Sequence, residues 1–308
     1  MGTPRCVSIW EDGNAMTDTP RVVPEPERES GKRYTPEGYE VPAPSENDVL
    51  YESREGIGWI TFNRPLVLNA VDWSLTREFG RALEQAETDE SARVVVVRGA
   101  GRAFCAGGDL QSSPRPEHIP APSMVDNVMR IWRMQKPVIA SVRGHAVGQG
   151  CEIAGMCDLT IAAEDAKFGE IQIRHGFPPP ILIVPYLTGP KGAKELLMTG
   201  DVFGAEDAQR LGLVNRIVPT DRLDEETEAF AKRIASLPPT ALALTKMLVN
   251  RVHEIGGFQQ GFDYRQDPVL AELAANTRND KVAAERLATL REQGWDAFKQ
   301  TRDAAHRG

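Results

Sequence analysis

Between Lys136 and Asp158 the chain reads KPVIASVRGHAVGQGCEIAGMCD, and this stretch limits the possible folds more than any other. Val138 to Val142 has the apolar run of a buried strand. The pattern breaks at Gly144, Gly148 and Gly150, then resumes with helical spacing from Cys151 to Cys157. A helix that starts directly after glycines has free N–H groups in its first turn, and these point at whatever lies in front of them. Glycine also lets a ligand approach the backbone closely. Glu152 stands in that first turn, where a carboxylate could work on a bound group. The stretch reads equally as an anion-binding turn or as a tight strand-to-helix connection with a solvated glutamate.

Other segments agree with an α/β chain. Val49 to Ser53 and Gly58 to Phe62 are expected as two strands joined at Glu55-Gly56. Asp72 is a good N-cap for a helix with Leu75, Phe79, Leu83 and Ala86 on one face, ending near Thr88. Val94 to Val97 is apolar without alternation, as expected of a strand covered on both faces. It leads to a second glycine turn, Ala106-Gly107-Gly108-Asp109-Leu110, at the end of a buried strand where α/β proteins bind ligands. The preceding Gly99-x-Gly101 is a poor dinucleotide fingerprint, because Phe104 holds the position of its third glycine. Gln111 to Ser123 is expected as a loop, Met124 to Met134 and two segments near Gly192–Met198 and Ala205–Leu211 as helices, and Leu159 to Ala163 as a strand.

The chain has 308 residues and a net charge of −8, with no basic block, which argues against nucleic acid as a partner. No apolar run approaches the ~18 residues of a membrane span, and the four cysteines form neither a C-x-x-C pair nor a disulfide framework, so a cytoplasmic setting is expected. Five scattered histidines give no metal-ligand spacing. Residues 1–46 hold seven of the 22 prolines and no apolar periodicity, and are expected as a disordered or draped extension. A core over 47–235 and a helical region over 236–308 complete the division.

Two backbone N–H groups from separate turns, aimed at one point, make an oxyanion hole. Asn63-Arg64-Pro65 with Asn69-Ala70, Ala103-Phe104-Cys105-Ala106-Gly107-Gly108-Asp109-Leu110, Gly148-x-Gly150-Cys151-Glu152 with Cys157-Asp158, and the later Thr199-Gly200-Asp201 and Gly212-Leu213-Val214-Asn215 stand in the order seen in the crotonase superfamily. The chain resembles that enoyl-CoA hydratase/isomerase family over about residues 48 to 300. The resemblance implies a ClpP-like spiral of ββα units with a C-terminal helical region, assembled as a homotrimer or a dimer of trimers. It implies an acyl-CoA thioester as substrate, with CoA carried on the substrate and no separate cofactor or metal. It places the oxyanion donors at Gly108 and Gln149 and the first catalytic glutamate at Glu152, with Ala106, Gly107, Asp109, Leu110 and Gly148 lining the substrate.

This chain departs from the family at several of those places. The second donor position, usually glycine, is Gln149. The second glutamate belongs to a Phe-Gly-x-Pro-Glu pattern, and here Phe168-Gly169-Glu170-Ile171-Gln172 puts Gln172 at that position. An amide can hold a water but exchanges no proton at neutral pH. If this piece is a strand, Glu170 points to the same side as Gln172. His175 is a candidate acid or base, or a partly buried histidine satisfied by its surroundings. The basic residues that grip CoA phosphates are replaced by Val67-Leu68 and Gln111, leaving Arg64 and Arg102 nearby. The expected reaction passes through a stabilised enolate with Glu152 as acid/base. A CoA-thioester hydrolase, or a catalytically silent protein that binds acyl-CoA, is the alternative.

Overall fold

The computed structural model describes residues 22–24, 27, 29, 32–35, 37–112, 122–262, 264 and 267–304. The strands are β1 (Val49–Arg54), β2 (Ile57–Phe62), β3 (Val94–Gly99), β4 (Val138–Val142), β5 (His145–Val147), β6 (Leu159–Ala163), β7 (Lys167–Gly169), β8 (Phe203–Gly204) and β9 (Arg216–Val218). The helices are α1 (Trp73–Thr88), α2 (Met124–Arg133), α3 (Gln149–Met156), α4 (Val184–Thr199), α5 (Ala205–Arg210), α6 (Leu223–Ala235), α7 (Pro239–Ile255), α8 (Phe258–Phe262), α9 (Pro268–Asn276) and α10 (Lys281–Asp303).

A six-stranded sheet runs in the order β1-β2-β3-β4-β6-β9, and a three-stranded sheet in the order β5-β7-β8. The large sheet is parallel except for the β1/β2 hairpin. That hairpin turns at Glu55 and Gly56, both with positive φ (53° and 80°), the geometry that keeps the strands' twist through a two-residue turn. Strand alternation puts Ile60, Phe62, Val95 and Val97 in the core with α1 and α2. Ile57, Trp59, Val94 and Val96 pack on the other face with Leu223, Ala231 and Ala235 of α6. Both faces are covered, which is why the β3 run carries no polar alternation.

Most elements fall where the sequence places them. Asp72 caps α1 by accepting from the Leu75 N–H at 2.9 Å, and Ser123 and Asp126 form a reciprocal box at the start of α2. Two elements differ, and a third is only partly described. Residues 170–175 are a short 3-10 helix, Ile171–His175, and not a strand. A helical segment from Val184 that the sequence does not predict precedes the one expected near Gly192, and the non-helical Gly189 (φ 67°, ψ 173°) with Pro190 separates the two halves of α4. Of the expected loop at 111–123, residues 113–121 lie outside the described set.

Residues 1–21 of the extension also lie outside that set. Among the described ones, Val22 bridges Tyr39, Tyr34 bridges Glu40, and Arg33 reaches the core at Asp109, so this part is draped over the core. These contacts are backbone bridges and a long-range ion pair, which apolar periodicity does not report.

Asn69 ties the segment after β2 to the loop that follows β3. Its amide donates to the carbonyls of Ala100 (3.0 Å) and Ala103 (2.8 Å), and its Oδ1 accepts from the Arg64 N–H at 2.9 Å. The side chain is fully buried. An Asn69→Ala variant leaves these three groups unpaired in the interior and is expected to lose about 2 kcal/mol in urea unfolding, because a buried donor or acceptor without a partner keeps its desolvation penalty.

Candidate active site

The two glycine turns meet. β3 delivers the chain to the Ala106–Leu110 turn, and β5 delivers it to Gly148 at the start of α3. Cys105 pairs with β5, donating to the His145 carbonyl at 2.8 Å and accepting from the Val147 N–H at 3.1 Å. The approach is so close that a Cβ on Gly150 would lie 2.3 Å from the Cys105 carbonyl oxygen, and one on Gly148 would lie 3.7 Å from Gly107 Cα. Gly107 (φ 90°) and Gly148 (φ 54°) also hold backbone conformations that L side chains rarely adopt.

The direction of the N–H groups follows from this pairing. The Gly107 carbonyl accepts from the Val71 N–H, and the Asp109 N–H donates to the Val71 carbonyl, both at 2.8 Å. Gly108 lies between them in the ladder, so its own N–H points to the opposite side. Gln149 is the first residue of α3, where an N–H has no partner within the helix. Its side chain folds towards the other turn, with Oε1 3.4 Å from where a Cβ on Gly108 would stand. Gly108 is exposed and Gln149 half-buried, so the two amides lie at an open surface. The two turns that the sequence expects to supply the donors are thus neighbours, with the Gln149 side chain between them and solvent on one side.

Glu152 lies beneath, fully buried in α3. Its Oε1 accepts from the Ile181 N–H and from Gln172 Nε2, each at 3.1 Å, while its Oε2 is buried without a hydrogen-bond partner among the described residues. Gln172 stands beside Gly148, with Cδ 3.7 Å and Nε2 3.8 Å from a Cβ built there. The same Nε2 donates to Glu170 Oε2 at 2.9 Å. Two buried carboxylates thus share one amide. Burial raises both well above the usual carboxylate range, Glu170 to about 8, and the negative charge of Glu170 raises Glu152 further. The pair therefore retains at least one proton at neutral pH. Position 172 is the amide the sequence expects; the burial of Glu170 beside it is not in the sequence pattern.

Other expected site residues are placed differently. Ala106 donates its N–H to the Leu68 carbonyl at 2.9 Å and shapes the turn through its backbone, and Leu110 is half-buried just beyond it. Asp109 faces away from the two donors, paired with Arg33 at 2.7 Å. His175 points to α10, its ring stacked on Phe298 and its Nε2 3.3 Å from Arg302. Burial and the neighbouring guanidinium of Arg302 lower its pKa to about 4, so it stays neutral and acts as packing, not as an acid for the carboxylates. Arg64, expected near CoA phosphates, is buried and spends its guanidinium on Asp72 (2.9 Å), Asp109 (3.5 Å) and the Ala70 carbonyl (2.5 Å). That leaves it no free face for a phosphate. Phe177 and Pro178 line a cavity of about 580 Å³ with Leu273 and Val282; neither glycine turn lines it.

Known proteins resemble this chain in sequence and fold. Residues 52–306 match the family model for enoyl-CoA hydratase/isomerase. The chain is 37% identical over 212 residues to a probable enoyl-CoA hydratase of Rhizobium meliloti (strain 1021), covering 67% of this chain and 82% of that one. It is 36% identical over 211 residues to the crotonyl-CoA hydratase of Syntrophomonas wolfei, covering 66% and 81%. The crystal structure of an enoyl-CoA hydratase/isomerase from Xanthobacter autotrophicus Py2 superposes with a TM-score of 0.77 at 34% identity, over 84% of this chain and 98% of that one. With two converging glycine turns over a buried glutamate and a family match across most of its length, the chain belongs to the enoyl-CoA hydratase/isomerase family and has the crotonase fold.

Proposed function

We propose that the protein hydrates an enoyl-CoA thioester. The observation that carries this reading is the close approach of the Gly107 and Gly148 turns next to the buried Glu152, whose Oε2 has no partner among the described residues; this supports the Gly108 and Gln149 N–H groups as the two donors. The thioester carbonyl accepts from the two amides. Three acceptors of this cluster, Glu152 Oε2, Gln172 Oε1 and Glu170 Oε1, are buried without partners among the described residues, and the first two suit the two hydrogens of one water. The water oxygen bonds to the β-carbon as its proton passes to ionised Glu152. The double-bond electrons move onto the carbonyl oxygen, where the amides stabilise the enolate. Collapse of the enolate takes the proton from Glu152 to the α-carbon, so one carboxylate serves both transfers and Gln172 moves none.

The names of the relatives support the substrate class, and CoA enters on the substrate with no separate cofactor. A homotrimer or dimer of trimers fits the surface: α7 has no apolar residue in the core and exposes Leu244, Met247, Leu248, Val252 and Ile255. Among the described residues no helix is long and apolar enough to cross a membrane, in keeping with a cytoplasmic enzyme.

Incubation with short and long enoyl-CoA esters in ¹⁸O-labelled water, read by mass spectrometry, tests the reading. Hydration gives a β-hydroxyacyl-CoA carrying one labelled oxygen. Label in a released free acid means thioester hydrolysis, and unchanged esters across the panel with no double-bond migration mean a silent binder; either result overturns it. One observation favours double-bond isomerisation as the second reading: the position that carries the second glutamate of the family is an amide, Gln172, which leaves Glu152 to shuttle one proton. A shift of the double bond, seen by chromatography without label uptake, establishes it.

A further inference from the structure

We propose that Glu170 is a positioning residue of this site: by accepting from Gln172 Nε2 it fixes the amide and serves as the second carboxylate that position 172 lacks. The inference rests on the hydratase reading and extends it to a residue outside the family's glutamate positions.

The geometry leaves Gln172 one orientation. Its Nε2 lies 3.1 Å from Glu152 Oε1 and 2.9 Å from Glu170 Oε2. A flipped amide could accept from the one retained carboxyl proton but would face the other, ionised carboxylate acceptor against acceptor. The NH₂ end is therefore held between the carboxylates, and Oε1 remains as the unpaired end. Without Glu170, half of that clamp is gone and the amide can rotate. The 3-10 helix makes this possible. Glu170 sits just before its first residue with φ −103° and ψ 78°, a bend that brings side chains two positions apart into contact through one group. Glu170 is 1% exposed and Gln172 7%, so solvent supplies no other partner.

Charge gives Glu170 a second effect. Its carboxylate lies on the same amide as Glu152, and Ile181 N–H and Gln172 Nε2 are the only hydrogen-bond donors on Glu152 among the described residues. The remaining titratable neighbour of Glu170 is Cys151, a buried thiol from α3. Among the described residues no cation is one of the groups that act on the pair, so the repulsion between the two carboxylates is relieved when one of them keeps its proton. Glu170 ionises at about 8 in the folded protein, far above the ~4.3 of an unfolded glutamate. Between those values the folded state binds a proton that the unfolded state does not, so stability falls as pH rises through that window.

Four proteins test the proposal: the parent, Glu170→Gln, Gln172→Glu, and the double variant that exchanges the two types. In the parent, kcat/KM with an enoyl-CoA ester rises with pH as the pair loses its proton. In E170Q the repulsion on Glu152 is gone, so the rising limb moves at least one pH unit lower, while kcat falls about tenfold as the amide loses its anchor. Q172E places three carboxylates in one buried cluster and loses more. The exchanged double variant restores one carboxylate at position 172 and an amide at 170, and recovers at least tenfold over Q172E. An E170Q profile that superposes on the parent, or losses that simply multiply in the double variant, overturns the proposal. If the parent turns over no ester, the hydratase reading has failed, and the fall of melting temperature between pH 5 and 8.5 decides the positioning role alone. E170Q flattening that fall supports it, and an unchanged slope overturns it.

Discussion

Replacing Glu152 by Gln is expected to lower kcat for enoyl-CoA hydration by about 10²–10⁴-fold, the range that a positioned acid/base group contributes. The replacement keeps shape. The Gln carbonyl can accept from the Ile181 N–H and Gln172 Nε2 where Oε1 does now, and the new NH₂ takes the place of the unpartnered Oε2. The oxyanion donors belong to the backbone at Gly108 and Gln149 and stay in place, so acyl-CoA binding in a competition assay is expected to change less than threefold. Stability moves the other way from activity. Burial and the charge of Glu170 hold the Glu152 pKa well above its unfolded value. Ionising the folded site is therefore unfavourable, and the penalty grows as pH rises above the unfolded pKa. E152Q removes this penalty, so its melting temperature should exceed the parent's at pH 8 and approach it at pH 5. A variant that loses activity and stability together at pH 8 would show that Glu152 is a structural group. Full activity in E152Q would remove the proton shuttle from the mechanism.

The parts of this site that were legible in the sequence are those encoded by local backbone chemistry. Gly107, Gly148 and Gly150 mark the turns because their conformation or the nearness of a carbonyl excludes a side chain, and glycine is the one residue whose absence of Cβ can be read directly. Asp72 and the apolar stripe of α1 are legible for a similar reason, since capping and helical spacing act within a few residues. Other features depend on distant partners. His175 has its partner Arg302 127 positions away, and the 3-10 helix that turns Glu170 inward is indistinguishable from a short strand by pattern alone. Buried carboxylates are hardest to foresee, because a glutamate in a sequence reads as surface until the group that shares its charge is known. The extension is a similar case. Arg33 meets Asp109 with 2.7 and 3.1 Å contacts across 76 positions, in a segment without an apolar period.

Arg64 brings these points to an experiment. Arg64→Met is expected to destabilise the protein by about 3–5 kcal/mol at pH 7, because removing one partner of a buried ion cluster leaves the other charge uncompensated. Its guanidinium meets Asp72, whose side chain is 1% exposed, and Asp109, whose side chain is 3% exposed, with Asp48 3.8 Å away. Methionine fills similar volume but returns neither the charge nor the hydrogen bond to the Ala70 carbonyl. Burial already raises the Asp72 pKa, and Arg64 opposes that rise. Without Arg64 the carboxyl rises further above its unfolded value, so the deficit should shrink as pH falls towards 4 and Asp72 becomes neutral in the folded state. For a chain of this size the loss at pH 7 corresponds to a fall in melting temperature of roughly 10 °C. CoA affinity of the remaining folded protein separates this role from the one suggested by sequence position. An arginine committed to three aspartates leaves CoA binding within threefold when it is removed. A phosphate ligand would give a tenfold or greater loss of affinity with little change in stability. The first pattern makes Arg64 the internal tie that fixes Asp109 next to the Gly108 donor; the second would move the phosphate grip back to Arg64.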